Sequence, residues 1–370
     1  MTTILIVAGE TSGDIHGANL ARALKELRPG VRLAGAGGPR MRDAGVEILV
    51  DPVKHAAVGI VEAFHSMHHY ARLYRLLVSA LRTHRPDAVV LIDFPDFNLR
   101  YAERVKDHGA PVVYYISPQV WAWREGRVKA IKRLVRRMIV ILDFEVDFYR
   151  KHGVDALFVG HPLLDAVREI DGPAFRRELG VPDGRPLIGL LPGSRSKQFG
   201  SLYPLMKKAA ALVAKDVPDA RFVVACAPSI DPRRAEAGGL PFVWNRTPEV
   251  MAGSDLLITA SGTATIEAAI HGTPMVVTYK VNPLGALTLG WLIKAKDLAL
   301  VNIVAGRRIM PEFYQFQAKP GLIAKEAVSI LRDGRLAEMR RQLAEVRRKL
   351  GSAGASKRAA AEVLKVADGG

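Results

Sequence analysis

The chain has 370 residues, 49% of them hydrophobic and 24% charged, which suits two globular domains and excludes a disordered or fibrous protein. Its 53 Lys and Arg against 37 Asp and Glu give a net charge of +16, which favours anionic partners such as nucleic acid, anionic lipid or phosphorylated substrates. The single cysteine, Cys226, excludes an internal disulfide and a cysteine-cluster metal site. Because no apolar run reaches the roughly 18 residues of a spanning helix, the sequence predicts a protein that is soluble or peripheral to a membrane.

Short β-branched runs alternate with helical patterns through the first half of the chain. Strands are predicted over residues 4–8, 31–34, 88–92, 112–116, 138–142 and 157–159. Helices are predicted over residues 17–27, 67–83, 101–108, 127–137 and 145–152. Such alternation predicts a parallel sheet with helices on both faces.

The first predicted strand ends in a turn of small residues, 9–14 (GETSGD), that leads into a helix. Such a turn lets a ligand approach backbone N–H groups at the helix start. Ser12 and Asp14 are equally suited to be simple helix caps. The dinucleotide-binding pattern of three spaced glycines is absent from this turn.

The strand over 88–92 runs into residues 93–98 (DFPDFN). Two carboxylates and an amide at the end of a buried strand are costly unless they bind something. A carboxylate in this place is suited to act as a general base, with capping of the next helix as the alternative.

Two tryptophans, Trp121 and Trp123, follow the next strand in residues 117–123 (SPQVWAW). They either line an acyl or sugar site or fill the core. The predicted helix after them is rich in basic residues, namely Arg127, Lys129, Lys132, Arg133, Arg136 and Arg137. With few acids nearby in the sequence, this helix favours contact with an anionic membrane surface or a substrate phosphate, with an ordinary solvated face as the alternative.

The strand–helix pattern restarts after residues 171–173, so we expect a second domain. Its strands are predicted over 187–191, 221–225, 256–259 and 275–278, and its helices over 202–215, 263–271 and 324–332. The predicted domains are 1–168 and 169–345, with a helical tail over 346–370. The helices from residue 336 onward are expected to form a solvent-facing end, with a specific binding role as the alternative. Tandem doubly wound domains predict a cleft between them.

Two turns of the second domain indicate a diphosphate site. The strand over 187–191 ends in Pro192, Gly193, Ser194 and Arg195, a glycine turn with a fixed cation. The strand over 256–259 leads to residues 261–263, which open a helix whose N–H groups suit phosphate, with Glu267 one turn further for ribose hydroxyls. Together they predict a nucleotide diphosphate in this domain.

The segment 301–315 is irregular and broken by glycine and proline, which favours a loop that closes over a ligand. The sequence has no Asp-X-Asp triplet and no histidine pair at metal-ligand spacing. We therefore expect no essential metal and no other cofactor.

Eight motifs in family order resemble the lipid A disaccharide synthase family. They are residues 9–14 (GETSGD), 37–41 (GGPRM), 93–98 (DFPDFN), 117–123 (SPQVWAW), 159–163 (VGHPL), 191–195 (LPGSR), 261–267 (SGTATIE) and 302–315. The resemblance implies two facing Rossmann-like domains in the GT-B arrangement. It also implies inverting transfer from UDP-2,3-diacylglucosamine to the 6-hydroxyl of 2,3-diacylglucosamine 1-phosphate. Gln198 stands where family members often carry an acid, and Val301 where they tend to carry proline.

For this reaction we assign roles to particular residues from their chemistry and their position in the sequence. Asp93 would take the acceptor proton, with Asp96, Asn98 and Glu10 orienting the site. The nucleotide-sugar residues would be Gly193, Ser194, Arg195, Ser261, Gly262, Thr263, Glu267, Asn302, Glu312 and Gln315. The acceptor, lipid or membrane residues would be Ser12, Trp121, Trp123, Arg127, Lys132 and Arg136. The implied partners are UDP-diacylglucosamine, acylated glucosamine 1-phosphate and an anionic membrane surface, at the cytoplasmic side of the inner membrane.

Three other functions compete with this reading. A UDP-sugar epimerase and a peptidoglycan-type N-acetylglucosaminyltransferase share the expected fold, and the epimerase needs no lipid site. A basic nucleic-acid-binding protein would explain the charge, but the sequence has no recognisable RNP, helix-turn-helix or zinc motif, so no nucleic-acid partner is expected.

Overall fold

The computed structural model describes residues 1–52, 63–231, 239–280 and 297–369. It divides the chain into two compact units, Met1–Asp165 with Leu350–Gly370, and Ala166–Lys349. The first boundary lies three residues before the expected one at 168. The end of the chain returns to the first unit instead of forming a separate tail.

The first unit is built on a parallel sheet with the order β3-β2-β1-β4-β5-β6-β7. Its strands are β1 (Thr3–Ala8), β2 (Arg32–Ala36), β3 (Glu47–Val50), β4 (Ala88–Ile92), β5 (Val112–Tyr115), β6 (Arg137–Val140) and β7 (Ala156–Phe158). Its helices are α1 (Thr11–Leu27), α2 (Pro39–Asp43), α3 (Ala63–His84), α4 (Pro95–Asp107), α5 (Val120–Trp123), α6 (Val128–Leu134) and α7 (Phe144–Lys151), with a 3-10 turn at Glu125–Arg127. Helix α8 (Leu163–Ala166) leads to the second unit.

The central strands of this sheet are buried on both faces, as their apolar sequences predict. Ile4 and Ile6 of β1 pack on one face with α1, and Leu5 and Val7 pack on the other face with α3 and α4. Alternate side chains of a strand point to opposite faces, so a strand covered on both sides is apolar throughout.

The second unit repeats this plan with the sheet order β10-β9-β8-β11-β12-β13, all parallel. Its strands are β8 (Leu187–Leu191), β9 (Arg221–Cys226), β10 (Phe242–Trp244), β11 (Leu256–Ala260), β12 (Met275–Tyr279) and β13 (Glu312–Tyr314). Its helices are α9 (Gly172–Glu178), α10 (Ser196–Asp216), α11 (Thr247–Gly253), α12 (Ala264–His271), α13 (Leu300–Ala305), α14 (Pro320–Arg332) and α15 (Leu336–Lys349), with a 3-10 turn at Gln315–Gln317.

The last helix, α16 (Ala355–Ala367), belongs to the core of the first unit. Ala359 and Val363 are fully buried beside α1. The Asp165 carboxylate accepts hydrogen bonds from the backbone N–H groups of Gly354 at 2.5 Å and Ser356 at 3.1 Å, which satisfies the start of the helix. The expectation of a solvent-facing tail is therefore wrong for this helix, because its alanine-rich face packs closely.

Several helices begin earlier than the sequence patterns predict. Helix α1 starts at Thr11 and α4 at Pro95, so Ser12, Asp96 and Asn98 lie in first helical turns and not in loops. Polar residues in a first turn break the apolar periodicity that marks a helix in sequence. Proline at the first helical position of α4 is tolerated, because that N–H group has no partner in the helix.

The predicted basic helix over 127–137 is shorter than expected. Helix α6 ends at Leu134, and Arg137 already pairs with Val113 as the start of β6. The predicted loop over 301–315 contains α13 and the edge strand β13, which pairs in parallel with β12. Among the described residues, no helix combines the length and the apolar run that crossing a bilayer requires.

Candidate active site

The ends of β1 and β4 meet where the strand order of the first sheet reverses. Ala8, the last residue of β1, pairs with Ile92, the last of β4. The following helices, α1 and α4, cover opposite faces of the sheet. Ligands of doubly wound sheets bind in the crevice that this reversal opens. The fold thus brings Glu10 and Asp93, two of the predicted catalytic residues, to one edge.

The Asp93 carboxylate lies in a strained and well-supported turn. Its backbone φ is 45°, in the left-handed region. The Asn98 side-chain amide donates to the Asp93 carbonyl oxygen at 2.7 Å, and the Tyr114 hydroxyl donates to the same oxygen at 2.6 Å. Burial, and secondly the negative charge of Glu10, raise the pKa of Asp93 to about 6. A carboxyl with this pKa is suited to act as a base near neutral pH.

The glycine turn after β1 makes room for an aromatic ring. A Cβ atom on Gly9 would overlap the ring of Phe94, which itself has a left-handed φ of 51°. The turn therefore accommodates Phe94 in the place where the sequence suggested a ligand. Asp14 is a cap of another helix, since its carboxylate accepts from the N–H of Gly38 at 2.7 Å at the start of α2. Ser12 is exposed.

Asp96 has the opposite electrostatic environment to Asp93. Its side chain is 71% exposed and forms ion pairs with Arg124 at 2.9 Å and with Arg127. Its slight burial favours a higher pKa, but the hydrogen bonds and charges of Arg127 and Arg124 outweigh this and lower the pKa of Asp96. A carboxylate stabilised in its charged form is a weak base, so Asp96 is suited to hold the two guanidinium groups in place.

Asn98 is fully buried and its amide supports the Asp93 turn from inside. It is a positioning residue and has no surface with which to touch a substrate. The sequence correctly associated Asn98 with the Asp93 turn, whereas Tyr114 was missed because it lies inside an apolar strand.

The basic segment after α5 has more acidic partners than its sequence neighbourhood indicates. Arg127 pairs with Asp96, Arg133 with Glu103 at 3.0 Å, and Arg137 with Asp155 and Glu362. These partners come from distant parts of the sequence, so the scarcity of acids within the segment did not reveal them. Lys129, Lys132 and Arg136 are exposed.

Trp121 is half-buried, and its indole N–H donates to the Glu145 carboxylate at 3.1 Å. Its ring meets Phe144 edge-on, with centroids 5.1 Å apart. The side chain of Trp123 lies outside the described residues. Sequence reasoning missed Glu145, although it follows a predicted strand end just as Asp93 does.

The second sheet also reverses its strand order between two motif-bearing strands, β8 and β11. Thr259 pairs with Leu191, so the turns that follow these strands leave the sheet side by side. Helix α10 begins after the first turn and α12 after the second. The predicted diphosphate elements therefore lie at the ligand crevice of this unit.

The first of these turns depends on glycine. Gly193 has a φ of 102°, and a Cβ atom there would overlap the folded-back side chain of Gln198. The Ser194 carbonyl accepts a hydrogen bond from the Ser229 hydroxyl at 2.7 Å. Arg195 is exposed at the start of α10, which leaves a cation available to an anionic ligand.

The second turn presents the start of α12. Gly262 has a φ of 147°, and Thr263 stands at the cap position with its side chain exposed. Ser261 uses its hydroxyl internally, donating to the Leu298 carbonyl at 3.2 Å. Glu267 lies in the first turn of the helix, where burial raises its pKa.

Asn302 and Glu312 are turned inward. The Asn302 amide oxygen accepts from the N–H groups of Ile309 and Met310, both at 2.9 Å, and its nitrogen donates to the Met310 carbonyl and to Glu312. Both side chains are buried. Their hydrogen-bonding groups thus shape the local backbone, and the predicted role of both residues in nucleotide-sugar binding stays a prediction. Gln315 is half-buried with a left-handed φ of 46°.

The family of the chain follows from comparison with known proteins. The model of the lipid-A-disaccharide synthetase family, LpxB, matches residues 4–366. The chain belongs to this family. It is 44% identical over 371 residues to the lipid-A-disaccharide synthase of Geobacter sulfurreducens, covering 98% of this chain and 97% of the relative. It is 42% identical over 371 residues to that of Myxococcus xanthus, with the same coverage. These matches support this synthase family and none of the three competing functions.

Solved structures confirm the predicted fold class. A UDP-N-acetylglucosamine 2-epimerase from Listeria monocytogenes, described as putative, has a TM-score of 0.65 at 14% identity, covering 97% of this chain and 94% of its own. The calicheamicin glycosyltransferase CalG4 has a TM-score of 0.62 at 19% identity, covering 99% and 98%. Such likeness concerns the fold alone: α/β units with parallel sheets, as in GT-B glycosyltransferases.

Proposed function

We propose that the chain transfers 2,3-diacylglucosamine from UDP-2,3-diacylglucosamine to the 6-hydroxyl of 2,3-diacylglucosamine 1-phosphate. The products are the β-1,6-linked disaccharide 1-phosphate and UDP. Membership of the lipid-A-disaccharide synthetase family over residues 4–366 is the observation that carries this proposal. The surroundings of Asp93 support it, because this transfer needs a base.

Asp93 is the proposed general base. A primary hydroxyl is too weak an acid to lose its proton unaided at neutral pH, so the carboxylate accepts that proton as the oxygen attacks the anomeric carbon. Attack opposite the departing diphosphate inverts the anomeric centre, through an oxocarbenium-like state. The proton then passes from Asp93 to solvent.

The second unit is the proposed site of the nucleotide. As the bond to UDP breaks, negative charge develops on the diphosphate. Arg195 and the N–H groups at the start of α12 are the proposed groups that stabilise this charge. Glu267 is the proposed partner of the ribose hydroxyls, since its carboxylate lies in the same helical turn.

The proposed place of reaction is an anionic membrane surface, at the cytoplasmic side of the bacterial inner membrane. Both substrates carry acyl chains, so they partition into a bilayer. The excess of basic residues, +16 in net charge, favours attraction to anionic lipid.

Mass spectrometry of products tests this function. The purified chain is mixed with UDP-2,3-diacylglucosamine and the acceptor monosaccharide phosphate, and the disaccharide 1-phosphate and UDP are expected in equal amounts. Omitting the acceptor should abolish product formation. Conversion of the UDP-sugar without acceptor would instead support an epimerase and contradict the proposal.

A further inference from the structure

Glu145 is a buried carboxylate without a cation beside it. Its side chain is 2% exposed, and among the described residues no Lys, Arg or His pairs with it. It accepts the Trp121 indole N–H at 3.1 Å and the Leu142 backbone N–H at 3.3 Å. Burial raises its pKa to about 7. Burying a carboxylate is costly, so its retention points to a task that an apolar residue cannot perform.

The task suggested by the geometry is to fix Trp121. Helix α5, which carries Trp121, has four residues, and one helical turn does not hold its own conformation. The Glu145 hydrogen bond ties the indole to α7. A second bond, 2.7 Å between the hydroxyl groups of Ser117 and Tyr149, ties the same segment to the same helix. With the Phe144 ring against its edge, Trp121 is held in one orientation while part of its surface stays accessible.

Trp121 belongs to the same sheet edge as Asp93. Strands β4 and β5 are neighbours, and Ile92 pairs with Tyr115, so the segments after them leave the sheet together. Arg124, directly after α5, is paired with Asp96 on the Asp93 turn at 2.9 Å. A rigid aromatic surface suits the apolar faces of a sugar ring and an acyl chain, and neighbouring guanidinium groups suit a phosphate. The acceptor carries all three of these groups: a sugar ring, acyl chains and a phosphate.

We propose that Trp121 forms the binding platform for the acylated glucosamine 1-phosphate acceptor and that Glu145 is the positioning residue that orients its indole. This inference rests on the proposed function. It assigns to the first unit a specificity-determining contact for the acceptor.

The test is a double-mutant cycle read as the KM of each substrate. Glu145→Ala removes the acceptor of the indole N–H, and Trp121→Phe removes the N–H while keeping a ring. Each is expected to raise the KM for the acceptor about tenfold, the effect of losing a hydrogen bond to a charged group. The KM for UDP-diacylglucosamine should not change. The double variant should resemble either single variant, because both lose the same interaction.

Glu145→Gln is the matched rescue, since it keeps one oxygen for the indole and should stay within about threefold of the wild type. Trp121→Ala keeps the test valid if Glu145→Ala does not fold, and it should raise the KM for the acceptor further. The inference would be overturned if the acceptor KM of the double variant rose by the product of the two single effects. An unchanged acceptor KM in Trp121→Ala would overturn it as well. An inactive wild type would refute the proposed function itself, so the two failures are distinguishable.

Discussion

Asp93 and Asp96 are three residues apart and differ in which protonation state their surroundings favour. Burial and Glu10 favour the protonated form of Asp93, whereas Arg124 and Arg127 favour the charged form of Asp96. Because their pKa values are shifted in opposite directions, the two carboxyl groups suit different roles: Asp93 can exchange a proton, and Asp96 can hold cations.

Replacing Asp93 with asparagine keeps its size and removes its basicity. We expect kcat to fall by about 10² to 10⁴, the usual contribution of a positioned base. Because the base must be deprotonated, the wild-type kcat should rise with pH through about 6 and level off above it. The variant should lack this rise. Steady-state kinetics from about pH 5 to about pH 8, a range that brackets this pKa, measures both the fall in kcat and its dependence on pH.

Asp96→Asn is the matched control, as it removes a carboxylate from the same turn. It should keep the rise in kcat near pH 6 and chiefly raise the KM for the acceptor, because Arg124 and Arg127 lose their anchor. If Asp96→Asn loses kcat and Asp93→Asn does not, the base is Asp96. If neither loses activity, the turn is a structural cap and the mechanism fails.

Arg195→Ala should weaken UDP binding by about 1.5–3 kcal/mol, the range for hydrogen bonds to charged groups. Arg185→Ala is the control. Arg185 lies just before the start of β8, at the opposite end of the strand from Arg195, and pairs with Asp219 at 2.7 Å. Isothermal calorimetry with UDP should show the loss only in the first variant. Equal affinities in both variants would remove Arg195 from the diphosphate site.

Helix α16 shows how one side chain joins distant elements of the fold. Asp165 precedes the second unit, yet its carboxylate satisfies the N–H groups at the start of a helix about 190 residues later, from Gly354 to Ser356. The same helix fills one face of the first sheet. The two chain segments of the first unit, 1–165 and 350–370, are therefore held together by this helix cap as well as by apolar packing.

We expect Asp165→Ala to lower the free energy of unfolding by about 0.5–2 kcal/mol, the usual effect of losing a helix cap. Asp165→Asn keeps an oxygen acceptor and should lose less. Urea denaturation followed by circular dichroism measures both. Asp183→Ala, at an exposed turn before β8, is the control and should leave the midpoint unchanged. A midpoint equally unchanged in Asp165→Ala would show that the cap does not stabilise α16.

At the scale of the whole molecule, the net charge of +16 predicts attraction to anionic membranes. Ion pairs occupy Arg127, Arg133 and Arg137, so the exposed residues Lys129, Lys132 and Arg136 are the better candidates for lipid contact. The sequence also holds an apolar stretch over residues 284–293, which is too short to span a membrane and which we predict to contact one; it lies outside the described residues.

We expect the chain to bind vesicles rich in anionic lipid at low salt and to dissociate steeply as salt rises. Changing Lys129, Lys132 and Arg136 to glutamate should weaken binding more than the same change at Lys208, Lys215 and Lys325, which are exposed in the second unit. Vesicle co-sedimentation measures both triple variants. Binding that ignores salt, or absent binding at low salt, would contradict an electrostatic anchor.

The sequence by itself determined the two sheets and the positions of their site-bearing turns. Strands β1, β4, β8 and β11 are apolar throughout because both faces are covered, and this makes them recognisable without a structure. Polar residues directly after such strands must lie at the carboxyl edge of a parallel sheet. The Asp93 turn and the Gly193 turn were found in this way.

Only the tertiary structure decided which polar groups face each other. Glu145 meets Trp121 across 24 residues of sequence, Arg127 meets Asp96 across 31, and Ser356 meets Asp165 across 191. Sequence periodicity indicates which face of one element is buried, but it does not indicate which residues of other elements that face will contact. This is why the sequence did not reveal that folding turns Asn302 and Glu312 inward to satisfy backbone groups.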